Sequence, residues 1–324
     1  MSSSIHPKTI QEVKEKADIV DVISEHVVLK KRGKEYVGIC PFHDDSKPSM
    51  TVSPDKQFYF CFSCGAGGNS IKFLMEFTRN NFSDVVLSLA RKNNINIVTV
   101  DSNQNENFKK QLSKREELFK ILRETKNWFK TQLNSTLGNN AYRYLTNDRK
   151  LSNTIIEKFE LGFAPDSWTS LYQYLLKVKG FPFEAILNAG LIISKDNKNK
   201  VFDRFRNRLM VPIYDSQSRV VGFTGRTLDG SNPKYLNSPE TDVFEKGKIL
   251  YGFDKASSNI RKKDLAIVVE GNFDVISLHA KGINNCVAAQ GSSLSKYQIS
   301  QLCRCTDNKN IVINFDSDNA GISA

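Results

Sequence analysis

The stretch EYVGICPFHDDSKPSMTVSPDKQFYFCFSC, residues 35–64, decides how the first part of the chain folds. It holds two runs, 35–40 and 57–64, rich in the aromatic and β-branched residues that suit a pleated strand. Each run ends in a pair of metal donors separated by two residues, Cys40 with His43 and Cys61 with Cys64. A pair so spaced bends round one ion from a tight turn, and Zn2+ takes four sulfur or nitrogen donors in a tetrahedron. The 17 residues between the pairs, 44–60, fit the spacing of a zinc ribbon. With all four donors supplied by protein, no position is left for water or substrate, so the metal is expected to be structural.

Working outward, Ile10, Val13, Ala17 and Val20 recur near helical spacing, and 27–29 turns strand-like. After the second pair, the turn GAGGN at 65–69 leads into two amphipathic segments, SIKFLMEFTR and DVVLSLARK. The expected module is a β-hairpin sheet with flanking helices over 1–100. Lys34, Lys47 and Lys56 stand among Phe42, Phe58, Tyr59 and Phe62, a mixture that suits phosphate contact with base stacking. The alternative, aromatics in the core and lysines merely facing water, stands on equal footing.

From about Asn93 the chain becomes polar and rich in Asn, and it loses its helical pattern after Val100, which places a linker at 101–111. A helix is expected over 112–132, with Leu118, Ile121, Leu122 and Phe129 on one stripe, followed by an irregular, helix-rich region to about Gly190. RLMVPIYD and RVVGFTGR, parted by the turn residues Asp215 to Ser218, predict a hairpin. Then DLAIVVEGNFDVISLHAKGI, NCVAAQ and NIVINFDSDNAG alternate apolar strands with helical segments, the pattern of a parallel α/β sheet. The division is 112–260 for a basic subdomain and 261–324 for the parallel sheet.

At 324 residues the chain has room for two or three domains. No apolar run approaches the roughly 20 residues of a membrane span, and the first residues turn charged before any apolar segment develops, so the expected location is cytoplasmic, with no membrane partner. Six cysteines in that compartment point to metal ligands or core thiols rather than disulfides; Cys286, Cys303 and Cys305 lack a second matched pair and read as unliganded. The net charge of +11 favours a polyanionic partner.

Two sets of charges carry candidate chemistry. Glu270 ends the apolar strand AIVVE, while Asp316 and Asp318 follow the strand IVINF. Functional groups gather at the carboxyl ends of parallel strands, and aspartates two apart on extended chain face one hard cation. Mg2+ so held supports phosphoryl or nucleotidyl transfer. Asp274, one helical turn beyond Glu270, assists the metal or favours the helix N-terminus. His279 reads as structural or surface. Arg204, Arg206 and Arg208 alternate and would lie along one side of an extended segment, where a nucleic-acid or nucleotide phosphate would suit them, with Arg226, Lys234, Lys246 and Lys248 beyond and Gly222, Gly225 and Gly247 allowing close backbone approach. Taken singly, a DSD is also a solvated turn and a charge run a solvated face.

With CPFH, DDSKPSMTVSPDKQFYFCFSCGAGGN, RFRNRLMVPI, VVGFTGR, PKYLNSPETDVFEKGKILYG, VVEGNFDV and FDSDNAG in hand, the chain resembles bacterial DNA primases of the DnaG type over nearly its whole length. PKYLNSPET with the following KG and LYG is the most specific part; Toprim acids also occur in topoisomerases and recombination proteins. The resemblance implies an α+β and α/β multidomain fold: an N-terminal zinc ribbon, then a mixed primase catalytic domain ending in a partial Toprim sheet. It implies structural Zn2+ on Cys40, His43, Cys61 and Cys64 in a template-sensing domain. Mg2+ or Mn2+ would sit on Glu270, Asp316 and Asp318, with Asp274 as second acid of the Glu motif. Arg226, Lys234 and Lys246 would match residues associated with nucleic acid and nucleotides. The implied reaction is synthesis of short RNA primers from ribonucleoside triphosphates on single-stranded DNA. Ser317 stands where Gly is common in the family. The family continues past the DSD motif with another acidic motif, the rest of the polymerase domain and a helicase-interacting domain, so a truncated chain is expected, lacking the part that meets the replicative helicase. A zinc and single-stranded DNA-binding fragment without catalysis is the alternative. A Toprim protein that cleaves DNA would need a singled-out nucleophile, and no tyrosine here has such a motif.

Overall fold

The computed structural model describes residues 5–43, 45, 47–78, 80, 82–98, 102–195, 200–291, 293–306 and 308–315, of which 102–110 by their backbone only. The chain divides into two compact units, 1–111 and 112–324.

In the first unit, helices α1 (Pro7–Lys16) and α2 (Ile19–Ser24) lead into a five-stranded antiparallel sheet in sequence order: β1 (Lys30–Arg32), β2 (Glu35–Gly38), β3 (Met50–Ser53), β4 (Phe58–Cys61) and β5 (Gly67–Gly68). The strand expected at 27–29 begins at Lys30 instead. Helices α3 (Ser70–Thr78) and α4 (Phe82–Lys92) follow as expected. Pro7 opens α1, where its missing N–H costs nothing, and the His6 ring accepts from the Lys8 N–H. Asp18 caps α2, accepting from Val20 and Asp21, and is itself held by the Gln57 amide from the β3–β4 turn. Val13, Ile23, Met50, Val52, Tyr59, Phe73 and Val86 share one buried core.

Helix α5 runs Ser102–Leu133, so the helix expected from 112 starts ten residues earlier and takes in most of the expected linker. The polar stretch lacks an apolar stripe, yet Gln104, Glu106, Lys109, Lys110 and Gln111 are good helix formers, and propensity propagates a helix already nucleated.

In the second unit, α6 (Asn139–Arg143), α7 (Asn153–Lys158), α8 (Ser170–Gln173) and α9 (Phe183–Asn188) surround a sheet of order β11-β10-β9-β6. Its strands are β6 (Gly162–Ala164), β9 (Arg208–Tyr214), β10 (Val220–Thr227) and β11 (Tyr235–Asn237), all antiparallel; β7 (Ile192–Lys195) and β8 (Lys200–Asp203) make a separate ribbon. The expected hairpin is β9 with β10, and the Asp215 carboxylate closes its turn on the N–H groups of Gln217 and Arg219. Phe129, Phe205 and Phe223 meet edge to face beneath it.

The last sheet has order β12-β14-β13-β15: β12 (Leu250–Tyr251), β13 (Ala266–Val269), β14 (Cys286–Ala289) and β15 (Ile311–Asn314). The three long strands are parallel, with α10 (Phe253–Lys263), α11 (Asn272–Ala280) and α12 (Lys296–Cys303) among them. This sheet takes β12 and α10 from before residue 261, so a border at 260 passes through α10. Leu250, Phe253, Ala256 and Ile260 pack with Ala266, Val268 and Val287 in one core, a long-range association that a two-residue strand does not advertise.

Candidate metal centre and nucleic-acid interface

The register row Gly38–Met50–Cys61 brings the ends of β2 and β4 to one edge of the ribbon sheet. There the donor atoms of Cys40, His43, Cys61 and Cys64 all lie within 4.8 Å of one another. Cys40 and Cys64 Sγ are 3.8 Å apart, and His43 Nδ1 is 3.9 Å from Cys61 Sγ. A tetrahedron with Zn–S bonds of about 2.3 Å has S–S edges of about 3.8 Å, so the donor set and its size fit Zn2+. Burial pushes the Cys61 thiol up, but the Ser49 hydroxyl and the N–H groups of Cys64 and Ser63 outweigh it and bring it down to about 7. Burial first, and then the neighbouring sulfurs, push Cys40 well above its ordinary value.

Asp45 and Ser49 were not singled out by sequence reasoning. Asp45 accepts the Cys40 N–H at 3.0 Å, the Lys47 N–H at 3.1 Å and the Ser49 hydroxyl at 2.5 Å, and these hydrogen bonds, Ser49's foremost, hold its carboxyl down at about 2. Its Oδ2 lies 3.9 Å from His43 Nε2, too far for a hydrogen bond but near enough to favour a polarised imidazole N–H. Ser49 in turn lies 3.2 Å from Cys61 Sγ. The available signal was the Asp-x-Lys turn, in which an Asp side chain bonds the backbone two residues on.

The aromatics divide between the two readings. Tyr59 is fully buried, donates its hydroxyl to Glu76 and packs with Phe42 and Phe73, as a core aromatic does. Phe58, Phe60 and Phe62 are exposed at 44%, 38% and 77%. Alternation puts Phe58 and Phe60 on one face of β4 while Tyr59 and Cys61 face the core. Phe60, which sequence reasoning passed over, shares a register row with Thr51, Val37 and Lys30 and meets Phe62 edge to face at 5.1 Å. A Cβ on Gly67 would stand 2.8 Å from the Phe60 ring, so the glycine lets that ring lie flat on β5. Lys34, Lys47 and Lys56 are exposed, as are Lys30, Lys31 and Arg32 along β1.

In the second unit, parallel pairing aligns the carboxyl ends of β13, β14 and β15. Glu270 directly follows β13 and is exposed, a hard oxygen donor of the kind Mg2+ takes. Asp274 accepts the Gly271 N–H at 2.9 Å, so of its two expected roles the structure displays the helix-capping one. Asp316 and Asp318 lie outside the described residues.

The basic residues separate. The chain leaves extended geometry between β8 and β9, with Asn207 at φ +47°, so Arg204, Arg206 and Arg208 do not line one side. Arg204 donates to the Gly190 carbonyl at 2.8 Å; Arg208, 7% exposed on a strand buried along its whole length, donates to the carbonyls of Pro233 and Gly225. Burial lowers both. The room made by Gly225 is taken by Arg208 itself, whose Cδ would lie 2.9 Å from an added Cβ. Arg206 instead stacks 4.3 Å from the centroid of Trp168, an indole 64% exposed. Arg226 stands 5.3 Å from the Tyr144 ring, 5.5 Å from Phe273 and 5.2 Å from Tyr235, and its buried Nε has no partner among the described residues. Arg149, not anticipated, faces the same Tyr144 and Phe273 rings at 5.4 and 5.2 Å. Phe273 belongs to the first turn of α11, so two guanidinium groups gather beside the segment that follows Glu270. Lys234 is exposed beside Tyr235, and Lys246 starts a single 3-10 turn, Lys246–Lys248. Among the described residues the ribbon cluster is the only group of three or more such donors placed to hold a metal. Cys286 is a core thiol, pushed up to about 12 by burial.

Comparison with known proteins agrees with this geometry. Residues 5–106 match the family model of the CHC2 zinc finger, 128–257 that of the DNA primase catalytic core N-terminal domain, and 267–324 a Toprim-like model. DNA primase from Synechococcus elongatus is 53% identical over 320 residues, covering 99% of this chain and 46% of the relative; DNA primase from Staphylococcus aureus strain COL is 40% identical, covering 99% and 53%. The chain thus spans about half the length of the curated relatives it matches. The solved Aquifex aeolicus primase, comprising zinc-binding and RNA polymerase domains, aligns with TM-score 0.58 and 34% identity over 100% of this chain and 74% of that one. A DnaG primase catalytic domain bound to single-stranded DNA aligns with TM-score 0.60 and 36% identity over 66% of this chain and 65% of that one.

Ribbon, antiparallel core and parallel sheet together define a modular protein of the zinc-ribbon and Toprim class. The chain belongs to the bacterial DnaG-type DNA primases. Its modules take structural Zn2+ at the ribbon and Mg2+ at the Toprim-like sheet.

Proposed function

We propose that this chain carries the template-reading and initiating parts of a primase, which synthesises short RNA primers on single-stranded DNA from ribonucleoside triphosphates. The observation that carries this reading is the guanidinium pair, Arg149 and Arg226, gathered on the rings of Tyr144 and Phe273, with Phe273 in the first turn of the helix that follows the exposed acid Glu270 at the end of β13. An acid for metal beside fixed cations for phosphate is the minimum that nucleotidyl transfer requires.

β15 is parallel to β13, so its carboxyl end at Asn314 lies on the same side of the sheet as Glu270, and Asp316 and Asp318 are the acids that follow it in sequence. Mg2+ bound by these carboxylates would stabilise charge on the attacking 3′-hydroxyl and the leaving pyrophosphate. Arg226 and Arg149, braced by ring faces, would orient backbone phosphates with little loss of side-chain freedom. Lys234 and Lys246 would meet the triphosphate, and Arg206 with Trp168 would offer a cation and a stacking face to the template. On the ribbon, Phe58, Phe60 and Phe62 would stack bases while Lys30 and Arg32 take phosphates. For Arg204 and Arg208, which donate to backbone carbonyls, we read a structural role in place of phosphate contact. We place this work in the cytoplasm, with single-stranded DNA, ribonucleoside triphosphates and the growing primer as partners.

The test is Mg2+-dependent primer synthesis on single-stranded template by the full chain, beside Glu270→Gln and Asp316→Asn. The expected result is synthesis that both substitutions abolish. Incorporation that survives both refutes the assigned roles; steeply salt-dependent DNA binding with no incorporation favours a binding fragment.

A further inference from the structure

A line of four side chains crosses from the parallel sheet to the antiparallel one. Gln290, just past β14, donates through Nε2 to Asn272 Oδ1 at 3.0 Å; Asn272 donates through Nδ2 to Thr224 Oγ1 at 2.9 Å; the Thr224 hydroxyl donates to Asn237 Oδ1 at 2.8 Å. Thr224 and Gln290 are 4% and 6% exposed, so water offers these groups little replacement. A hydroxyl has one proton, and Thr224, having accepted from Asn272, must pass its own to Asn237; the relay runs one way. Thr224 and Asn237 are also direct register partners across β10 and β11.

The ends of this relay matter because of what lies next to them in sequence. Asn272 is two residues after Glu270, and Thr224 is two residues before Arg226 on one face of the same strand. Asn237 ends the strand that begins with Tyr235, the third ring around Arg226. Apolar packing between a helix and a sheet tolerates sliding, whereas hydrogen bonds between buried, directional groups do not. We propose that Asn272 and Thr224 are positioning residues that fix the acidic loop at Glu270 against the basic strand at Arg226, so that metal and phosphate are held at one separation. The proposal deepens the primase reading and rests on it.

The experiment compares, in the full chain, Thr224→Val, which keeps the shape and removes the hydroxyl, with Thr224→Ser, which keeps the hydroxyl, and with Asn272→Leu and the Thr224→Val/Asn272→Leu double variant. In primer synthesis, Thr224→Val should lower kcat about tenfold and raise the Mg2+ requirement, with KM for template little changed. Thr224→Ser should stay within about twofold of the parent, and the double variant should be no worse than Asn272→Leu, since both break one link. In parallel, amide hydrogen exchange across 271–275 should quicken about fivefold in Thr224→Val and not in Thr224→Ser. Equal exchange in those two variants, or additive losses in the double variant, overturns the proposal. A parent chain that makes no primers counts against the primase reading, and the exchange comparison still decides the relay.

Discussion

Acidification should loosen the second unit through one residue, His279 on α11. The ring is 3% exposed; its Nε2 faces the Cys286 carbonyl at 3.4 Å and its Nδ1 lies 3.1 Å from Lys158 Nζ, while Phe159 meets it edge on. The carbonyl can only accept, so Nε2 carries the proton and Nδ1 accepts from the ammonium. Burial first, then the charges of Lys158 and Lys255, push the imidazole down to about 4. Its unfolded value is about 6.5. The folded value is the lower one, so the unfolded chain binds the proton first, and the stabilising contribution, complete above about pH 6.5, is lost as pH falls toward about 4. The whole loss is about 3 kcal/mol, of which about 2 kcal/mol should be gone by about pH 5. Both tryptophans of the sequence, Trp128 and Trp168, lie in the second unit, so urea unfolding followed by indole fluorescence reports on that unit. His279→Gln keeps an acceptor for Lys158 and cannot titrate. It should be less stable than the parent at about pH 7.5 yet lose less between there and about pH 5. The paired design matters because Asp203, raised to about 6 chiefly by burial, slopes the other way, its contribution fading as pH rises from about 3.8 to about 6. Parallel decline of parent and His279→Gln would refute the assignment.

Three further outcomes follow from the geometry. Ser49→Ala removes the hydroxyl between Asp45 and Cys61 and should weaken Zn2+ binding about 10- to 100-fold in a chelator competition; unchanged affinity means that Ser49 only fills space. Replacing Phe58, Phe60 and Phe62 together by Ser should cost single-stranded DNA binding on the order of 1–3 kcal/mol for each base that stacks there, read by fluorescence anisotropy at a temperature where the variant is folded, since Phe58 and Phe60 are also more than half covered and their loss lowers the melting temperature as well. Asp203→Ala strips the partner from the N–H groups of Leu171 and Tyr172, each held at 2.9 Å, and should destabilise the second unit by about 2–4 kcal/mol in urea, with Asp203→Asn losing less.

What could be read in advance was whatever one turn of chain decides. Cys40 with His43 and Cys61 with Cys64 converge because a two-residue spacer and a strand end leave few other geometries, and the glycine turn and two helices behind them follow from equally local signals. The apolar strand before Glu270 was legible for the same reason. The arginines were not. Alternation at 204, 206 and 208 implies one shared face only while the backbone stays extended, and Asn207 breaks that condition. What then becomes of each guanidinium is settled by groups far away in sequence: Gly190 for Arg204, Trp168 for Arg206, Gly225 and Pro233 for Arg208. Arg149 is the converse case, an unremarked charge in a loop that packing carries to the ring of Phe273, over a hundred residues on. A cation is cheap to place on a surface and costly to bury, so its role depends on which carbonyls, rings and glycines the fold sets around it. Metal donors come with their partner sites written at fixed spacing, whereas for these arginines the partner side of the contact lies in other elements. Substitutions at Trp168, Tyr144 or Phe273 should therefore perturb nucleic-acid binding as strongly as substitutions at the arginines they hold, even though none of the three carries charge.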